Sequence, residues 1–134
     1  TNEVHFAWFN TPKNNGGIEG VTYPLLADTT RNLSAALGML DAEAGAYNED
    51  ADTYLVEGSN VTYRATYLID ETGKIFHESV NDMPLGRNVN EYLRLVDAYT
   101  HIQTKGEVCP ANWEAGKEAM TADRNSTAAY LSAN

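Results

Sequence analysis

The residue best suited to chemistry in this chain is its one cysteine, Cys109, in the segment Gly106-Glu107-Val108-Cys109-Pro110-Ala111-Asn112-Trp113. One thiol cannot close a disulfide within its own chain, so a reactive Cys109 needs a partner thiol on another polypeptide or outside these 134 residues. Free cysteines are also among the most frequently buried residues, and a structural cysteine is the alternative. The chemistry to consider first is therefore thiol–disulfide exchange.

Arg64 is a charged residue within a segment whose apolar residues alternate without a break. The alternating residues are Val61, Tyr63, Ala65, Tyr67 and Ile69. Their period predicts a half-buried strand with Arg64 on the opposite face, beside Thr62 and Thr66. A guanidinium stays charged and presents a planar fork of donors, which suits it to an anionic group. A lone arginine on a strand face is more often a surface ion-pair residue, and that alternative stays open.

No metal or cofactor motif accompanies these residues. The three histidines, His5, His77 and His101, lack metal-ligand spacing. The sequence also contains no Gly-x-Ser-x-Gly, Walker or dinucleotide-binding pattern. We therefore expect no cofactor and no metal, and we assign the histidines structural roles.

Composition limits the class of protein. A net charge of −10 over 134 residues disfavours nucleic-acid and anionic-membrane partners. No apolar run reaches the roughly 20 residues of a membrane span, and the first residues lack the pattern of a signal peptide. A single cysteine fits a reducing compartment. We expect one soluble, cytoplasmic domain.

Helix-capping residues, glycines, prolines and the periodicity of apolar residues predict the secondary-structure elements of the first half of the chain. In chain order these are a helix over 2–9 capped by Asn2 and ended before Pro12, a turn at 14–17, a buried strand over 23–27, and a helix over 30–37 stopped by Gly38. An acidic stretch over 41–60 is predicted to be an inserted surface hairpin. Asn48, Asp50 and Asp52 alternate there as in a calcium loop, but the glycine of the sharp turn and the bidentate glutamate are missing, which favours a solvated charge run.

The second half contains a predicted hairpin, a long helix and a polar tail. The strand over 61–69 turns at Asp70-Glu71-Thr72-Gly73 into a strand over 74–80. Asn88 is predicted to cap a helix that ends at Gly106, with Glu91 completing a capping box. One face of this helix carries Val89, Leu93, Val96 and Tyr99 or Thr100. Short helices are predicted over 113–120 and 127–131, in a tail that buries little by itself and packs on a partner.

Several segments, in order and with matching spacing, resemble the typical 2-Cys peroxiredoxins, which include the alkyl hydroperoxide reductase C subunit. Besides residues 106–113, they are His5-Phe6-Ala7-Trp8-Phe9-Asn10-Thr11-Pro12-Lys13, Gly16-Gly17-Ile18-Glu19, Tyr23-Pro24-Leu25-Leu26-Ala27-Asp28, Tyr63-Arg64 with Leu68-Ile69-Asp70, and Val80-Asn81-Asp82-Met83-Pro84-Leu85-Gly86-Arg87. The acidic stretch over 41–60 is absent from the commonest members of the family.

The resemblance implies a thioredoxin-like α/β fold and a role in peroxide reduction. It implies that Cys109 is the resolving cysteine and that Arg64 and Arg87 belong to the network around the peroxidatic sulfur. The family's Pro-x-x-x-Thr-x-x-Cys turn is not present, so we expect a peroxiredoxin domain that lacks the N-terminal strands and the peroxidatic-cysteine helix. Residues 1–105 would form the rest of that domain, and residues 106–134 a tail that carries Cys109.

The resemblance also implies partners. These are identical subunits, in dimers or rings of five dimers, a peroxide substrate, and a thioredoxin or flavoprotein disulfide reductase. The alternative is a non-catalytic fragment or scaffold that keeps only the assembly surface.

Overall fold

The computed structural model describes residues 1–41, 44–56 and 61–133. The chain divides into two compact units, Thr1–Ala65 and Thr66–Asn134. The elements of the first unit are α1 (Asn2–Phe9), a 3-10 turn (Lys13–Asn15), α2 (Asn32–Ala36), β1 (Leu40–Asp41), β2 (Ala44–Asn48), β3 (Thr53–Val56) and β4 (Val61–Thr62). β5 (Arg64–Ile69) begins at the boundary, and β6 (Ile75–Asn81), α3 (Val89–Lys105) and α4 (Arg124–Ala133) follow. The predicted boundary after residue 105 separates the domain from the tail that carries Cys109. It differs from this division into compact units, and it stays a prediction.

Helix α1 begins and ends close to the predicted places. Its cap is Thr1, whose Oγ1 accepts a hydrogen bond from the Val4 N–H at 3.4 Å, so the prediction of Asn2 as the cap was wrong by one residue. After α1, the predicted turn is confirmed, with Gly16 at φ 80°. A Cβ on Gly17 would lie 1.8 Å from the Thr11 carbonyl oxygen, so this turn accepts only glycine there.

The predicted buried strand over 23–27 is not formed, and this prediction was wrong. Tyr23 is 62% exposed and Leu26 78% exposed. No strand in the described part of the chain pairs with this segment, and Pro24 has no N–H to offer a ladder. An apolar run without a paired neighbour keeps no strand geometry.

Helix α2 lies within the predicted range, and its N-terminus is fixed by a residue four positions earlier. Both oxygens of Asp28 accept hydrogen bonds from the first turn, at 3.3 Å from the Leu33 N–H and 2.8 Å from the Ser34 N–H. Gly38 follows at φ 65°, as a stop signal requires.

The predicted hairpin in the stretch 41–60 is confirmed where the structure describes it. β2 and β3 pair antiparallel, with Asn48 opposite Thr53. The Asn48 Oδ1 accepts from the Asp50 and Ala51 N–H groups at 3.1 and 3.2 Å, so this side chain closes the turn. Residues 42–43 and 57–60 of the stretch lie outside the described residues.

The predicted strand over 61–69 is divided at Tyr63. β4 pairs antiparallel with β1, whereas β5 pairs with β6. The Tyr63 N–H donates to the Met39 carbonyl oxygen at 2.7 Å, which extends the bonding of β4 past its end. The alternation of apolar residues over 61–69 did not reveal that the chain changes its partner strand at Tyr63. The hairpin of β5 and β6, closed by Asp70–Gly73, is confirmed.

Helix α3 has both predicted ends. The Asn88 Oδ1 accepts from the Asn90 N–H at 3.1 Å, and Gly106 at φ 68° donates its N–H to the Ile102 carbonyl at 2.9 Å. The predicted capping box was wrong, because the Glu91 carboxylate pairs with Arg94 instead. Much of the predicted apolar face is exposed within the second unit, with Leu93 at 59%.

The tail differs most from its prediction. Residues 113–120 form turns instead of a helix, since Asn112 and Gly116 have positive φ values of 59° and 89°. Val108 and Met120 exchange two backbone hydrogen bonds. Trp113 is only 3% exposed, so the expectation that the tail buries little by itself was wrong for its first part, whereas it holds for α4, which has no buried residue. The helix predicted over 127–131 is confirmed as part of α4, which follows Asp123 at its N-terminus.

None of the described helices is both long enough and apolar enough to cross a bilayer.

Candidate functional site

The Cys109 thiol lies against the last turns of α3. The chain leaves the helix at Gly106 and folds back, so that the Cys109 Sγ lies 3.8 Å from the carbonyl oxygen of Ala98. The cysteine is half-buried and reduced. Burial raises the pKa of the thiol, the nearby Arg94 charge opposes that shift, and Glu107 adds to it. Cys109 is therefore held as a protonated, weakly nucleophilic thiol near neutral pH.

The segment 107–113, which we call the cysteine strap, is fastened before the thiol by two contacts. Glu107 Oε2 lies 2.7 Å from His101 Nε2. The next residue, Val108, forms its backbone pair with Met120 at 2.7 and 3.1 Å. These contacts fix the path of the chain into Cys109.

The strap is fastened after the thiol by Trp113. Its indole N–H donates to the Lys117 carbonyl oxygen at 3.1 Å, and its ring lies 4.9 Å from the His101 ring at an angle of 49°. The Arg94 guanidinium donates to the Trp113 carbonyl oxygen at 2.9 Å. It also binds both oxygens of Glu91, at 2.6 and 2.7 Å. The buried indole and the forked guanidinium together anchor this end of the strap.

Arg87 lies on the exposed loop between β6 and α3. That loop is held by the Asn81 side-chain amide, which donates to the Gly86 carbonyl oxygen at 3.1 Å. The Tyr92 hydroxyl lies 3.1 Å from the Ser79 hydroxyl. Its hydrogen bond with Ser79 lowers the pKa of Tyr92 most, followed by a bond with Thr66 and by the Arg87 charge. The Arg87 charge therefore favours the anionic form of the Tyr92 hydroxyl.

Arg64 is the first residue of β5 and is exposed. It belongs to the first unit, whereas Arg87 and Cys109 belong to the second. Within the second unit, the Cys109 thiol contacts the Ala98 carbonyl oxygen and is influenced by the charges of Arg94 and Glu107, whereas the Arg87 charge acts on Tyr92. The joint role of the two arginines thus remains a prediction from the resemblance.

Sequence reasoning missed Arg94 and gave Trp113 no anchoring role. A signal was available in the spacing, since Arg94, Ala98 and His101 stand at i, i+4 and i+7 on one face of α3. His101 contacts Glu107 and Trp113, and the structural roles assigned to the histidines stay a prediction. Among the described residues, no group of three or more His, Cys, Asp or Glu is placed to hold a metal ion.

Comparison with known families gives the class of this fold and site. Residues 1–78 match the model of the AhpC/TSA family, and residues 98–133 match the C-terminal domain of 1-Cys peroxiredoxin. Since the first match covers more than half of the chain, the chain belongs to the AhpC/TSA family of peroxiredoxins. The resemblance drawn from its motifs is confirmed.

Individual relatives agree with this assignment. Alkyl hydroperoxide reductase C of Helicobacter pylori is 42% identical over 132 residues, which are 98% of this chain and 59% of that protein. The mitochondrial thioredoxin-dependent peroxide reductase of Homo sapiens is 44% identical over 109 residues, 81% of this chain and 37% of that protein. The chain therefore spans about three-fifths of the bacterial relative.

A solved structure confirms the fold. The reduced 2-Cys peroxiredoxin of Plasmodium vivax superposes with a TM-score of 0.80 at 36% identity, covering 98% of this chain and 60% of that one. The mitochondrial 2-Cys peroxiredoxin of Plasmodium falciparum gives a TM-score of 0.61 at 33% identity, covering 82% of this chain and 56% of that one. The predicted thioredoxin-like, peroxiredoxin α/β fold is thus confirmed.

Proposed function

We propose that this chain is part of a thiol-dependent peroxidase that reduces hydrogen peroxide and alkyl hydroperoxides, with Cys109 as its resolving thiol. The observation that carries the proposal is the cysteine strap. A protonated thiol, half-buried and fastened on both sides, occurs in a member of the AhpC/TSA family. Such a thiol is a poor first nucleophile towards peroxide, but it is suited to a later exchange step.

The reaction has three balanced steps. A peroxidatic thiolate attacks the terminal peroxide oxygen and the O–O bond breaks; the sulfur becomes a sulfenic acid, and the leaving oxygen takes up a proton from solvent and departs as water or an alcohol. The Cys109 sulfur then attacks the sulfenic sulfur, a disulfide forms and water leaves. A dithiol reductant reduces the disulfide and is itself oxidised. Because these 134 residues contain one cysteine, the peroxidatic thiol lies on another polypeptide or outside them.

We infer that Arg64 and Arg87 stabilise the peroxidatic thiolate and the leaving oxygen. Both side chains are exposed at the ends of their elements, Arg64 at the start of β5 and Arg87 on the loop before α3. A guanidinium in such a place offers several donors to developing negative charge. The Arg87 effect on Tyr92 supports a positive potential at that loop.

The partners follow from the same proposal. Relatives named thioredoxin peroxidase, in Trypanosoma brucei rhodesiense, and thioredoxin-dependent peroxide reductase support a thioredoxin as reductant, with a flavoprotein disulfide reductase as the other candidate. We infer identical subunits, in dimers or rings of five dimers, as the assembly. We place the protein in the cytoplasm, and because one relative is mitochondrial, cell fractionation is the direct test.

The decisive experiment uses a polypeptide that carries both this chain and the family's Pro-x-x-x-Thr-x-x-Cys turn. Peroxide should produce a disulfide-linked dimer on a non-reducing gel, and Cys109→Ser should abolish it while one equivalent of peroxide is still consumed. Ser126→Ala, a substitution of similar size in α4, serves as the control. A Cys109→Ser protein that still forms the same dimer would assign Cys109 to a structural role. If neither the unsubstituted polypeptide nor the Cys109→Ser protein consumes peroxide, the scaffold alternative is favoured.

A further inference from the structure

Arg94 makes contacts that join α3 to the far end of the cysteine strap. Its Nε and one terminal nitrogen bind the two oxygens of Glu91, and its other terminal nitrogen donates to the Trp113 carbonyl oxygen at 2.9 Å. The side chain is 26% exposed, so these bonds are partly sheltered from water. Glu91 thereby fixes the fork in the orientation in which it reaches the strap.

Three polar contacts of the strap with this helix face are arranged in order, and the Trp113 ring also lies 4.9 Å from the His101 ring. His101 pairs with Glu107, two residues before the thiol. The thiol itself lies against the Ala98 carbonyl oxygen, and Arg94 donates to the carbonyl oxygen of Trp113, four residues after the thiol. In this closed arrangement the side of Cys109 that faces the helix is occupied by Ala98, which is 8% exposed. A disulfide requires the Cβ atoms of two cysteines to approach within about 4 Å in a specific geometry.

We propose that Arg94 is a positioning residue for Cys109, whose bond to the Trp113 carbonyl holds the strap closed on α3 and whose release frees the thiol for exchange. The biological meaning of this release rests on the proposed resolving role of Cys109. The physical claim concerns only the second unit and its own thiol. Arg94 thus controls how often Cys109 is available, without touching the reacting atoms.

Arg94 also acts on Cys109 through its charge. Its positive charge opposes the effect of burial on the thiol, whereas Glu107, which lies between Cys109 and His101, acts in the opposite sense. Loss of Arg94 therefore has two consequences, and a reaction rate of Cys109 measured at one pH would not distinguish them. The strap opens more often, which raises the reactivity of the thiol, and the thiolate is less favoured, which lowers it at a given pH.

Two substitutions separate these consequences. Arg94→Lys keeps the charge but loses the planar fork, and Arg94→Met loses both. The rate of alkylation of Cys109 by iodoacetamide is measured on the reduced 134-residue chain across a series of pH values. We expect the high-pH plateau to rise about tenfold in both variants, the scale of losing a hydrogen bond from a charged donor. The midpoint should move to higher pH only in Arg94→Met.

Lys117→Met is the matched control, because it removes a positive charge from the tail but leaves the Lys117 carbonyl that accepts from Trp113. Its plateau should equal that of the unsubstituted chain. A second measurement is the alkylation rate of Cys109 in the unsubstituted chain at increasing denaturant concentration. If the thiol reacts through local opening of the strap, this rate is nearly independent of denaturant at low concentrations. Unchanged plateaus in both Arg94 variants would overturn the proposal. So would alkylation of the unsubstituted chain that follows global unfolding at every denaturant concentration.

The outcome is distinguishable from a failure of the proposed function, because alkylation requires neither peroxide nor a second cysteine. If the dimer experiment fails while the Arg94 variants behave as expected, Arg94 positions a thiol that serves another exchange. If the dimer forms but both plateaus are unchanged, Cys109 resolves the sulfenic acid without control by Arg94.

Discussion

At the scale of single residues, the surroundings of Cys109 favour the thiol over the thiolate. Burial outweighs the favourable charge of Arg94, and Glu107 adds to the effect of burial. A thiol of this kind reacts slowly until its surroundings change. The contacts made by Arg94, His101 and Trp113 are therefore as relevant to the chemistry as the sulfur itself.

Arg64→Ala belongs to the same scale. In a polypeptide with both thiols, we expect the second-order rate constant with peroxide to fall by at least ~10²-fold, the size of losing one preorganised electrostatic donor. The fold should persist because Arg64 is exposed on β5. Stopped-flow kinetics measure the rate, and Arg124→Ala on α4 is the control for a lost positive charge. An unchanged rate constant would leave Arg64 as a surface ion-pair residue.

At the scale of elements, the hairpin of β5 and β6 depends on Asp70. This carboxylate accepts from the Thr72 hydroxyl at 2.6 Å and from the Tyr99 hydroxyl at 2.8 Å, and from the Thr72 and Lys74 N–H groups at 2.9 and 3.0 Å. These bonds, that with the Thr72 hydroxyl foremost, lower the pKa of Asp70 from 3.8 to about 2. The Phe76 and Tyr99 rings stack 3.9 Å apart. Tyr99 therefore joins α3 to the turn through its bond to Asp70 and to β6 through Phe76.

A pH dependence follows from Asp70. Its folded pKa lies below its unfolded value, so its contribution to stability is complete above about pH 4 and is lost as the pH falls from 3.8 towards about 2. Asp70→Asn should therefore lower the free energy of unfolding at neutral pH, and the difference from the unsubstituted chain should shrink across that interval. Urea unfolding at several pH values measures this, with Glu71→Gln as the neighbouring control. A difference that stays constant with pH would contradict the assignment.

At the scale of the whole molecule, the chain has two compact units and a single thiol. The matched proteins are longer, with this chain spanning 59% of the bacterial relative and 60% of the Plasmodium vivax chain. What the 134 residues do alone is thus a separate question from what the family does.

We expect the 134-residue chain alone to show no thioredoxin-dependent turnover of peroxide. The reason is that its only cysteine has a raised pKa and lies closed against α3. A coupled assay with thioredoxin, thioredoxin reductase and NADPH measures turnover, with the Cys109→Ser chain as the background. Sustained consumption that depends on Cys109 would show that this thiol is itself peroxidatic.

Features that depend on neighbouring residues could be predicted from the amino-acid sequence. The positions of Gly16, Gly38 and Gly106 indicated where the chain turns or a helix ends, because only glycine takes left-handed backbone angles without strain. Asn88 indicated the start of α3 for an equally local reason, its side-chain bond to the first turn. The motifs, in their order and spacing along the chain, were also sufficient to predict the family and the fold.

Features that depend on partners distant in sequence emerged when the chain folded and could not be predicted. The run over 23–27 has the composition of a strand, but no described strand lies beside it. Glu91 has the spacing of a capping box, yet the competing guanidinium of Arg94 takes its carboxylate. Trp113 lies in a polar tail and is nevertheless 3% exposed, because the chain folds back on α3 after Gly106. Local rules fix where a chain turns, whereas the energy of burial and of charge pairing depends on what the turn brings together.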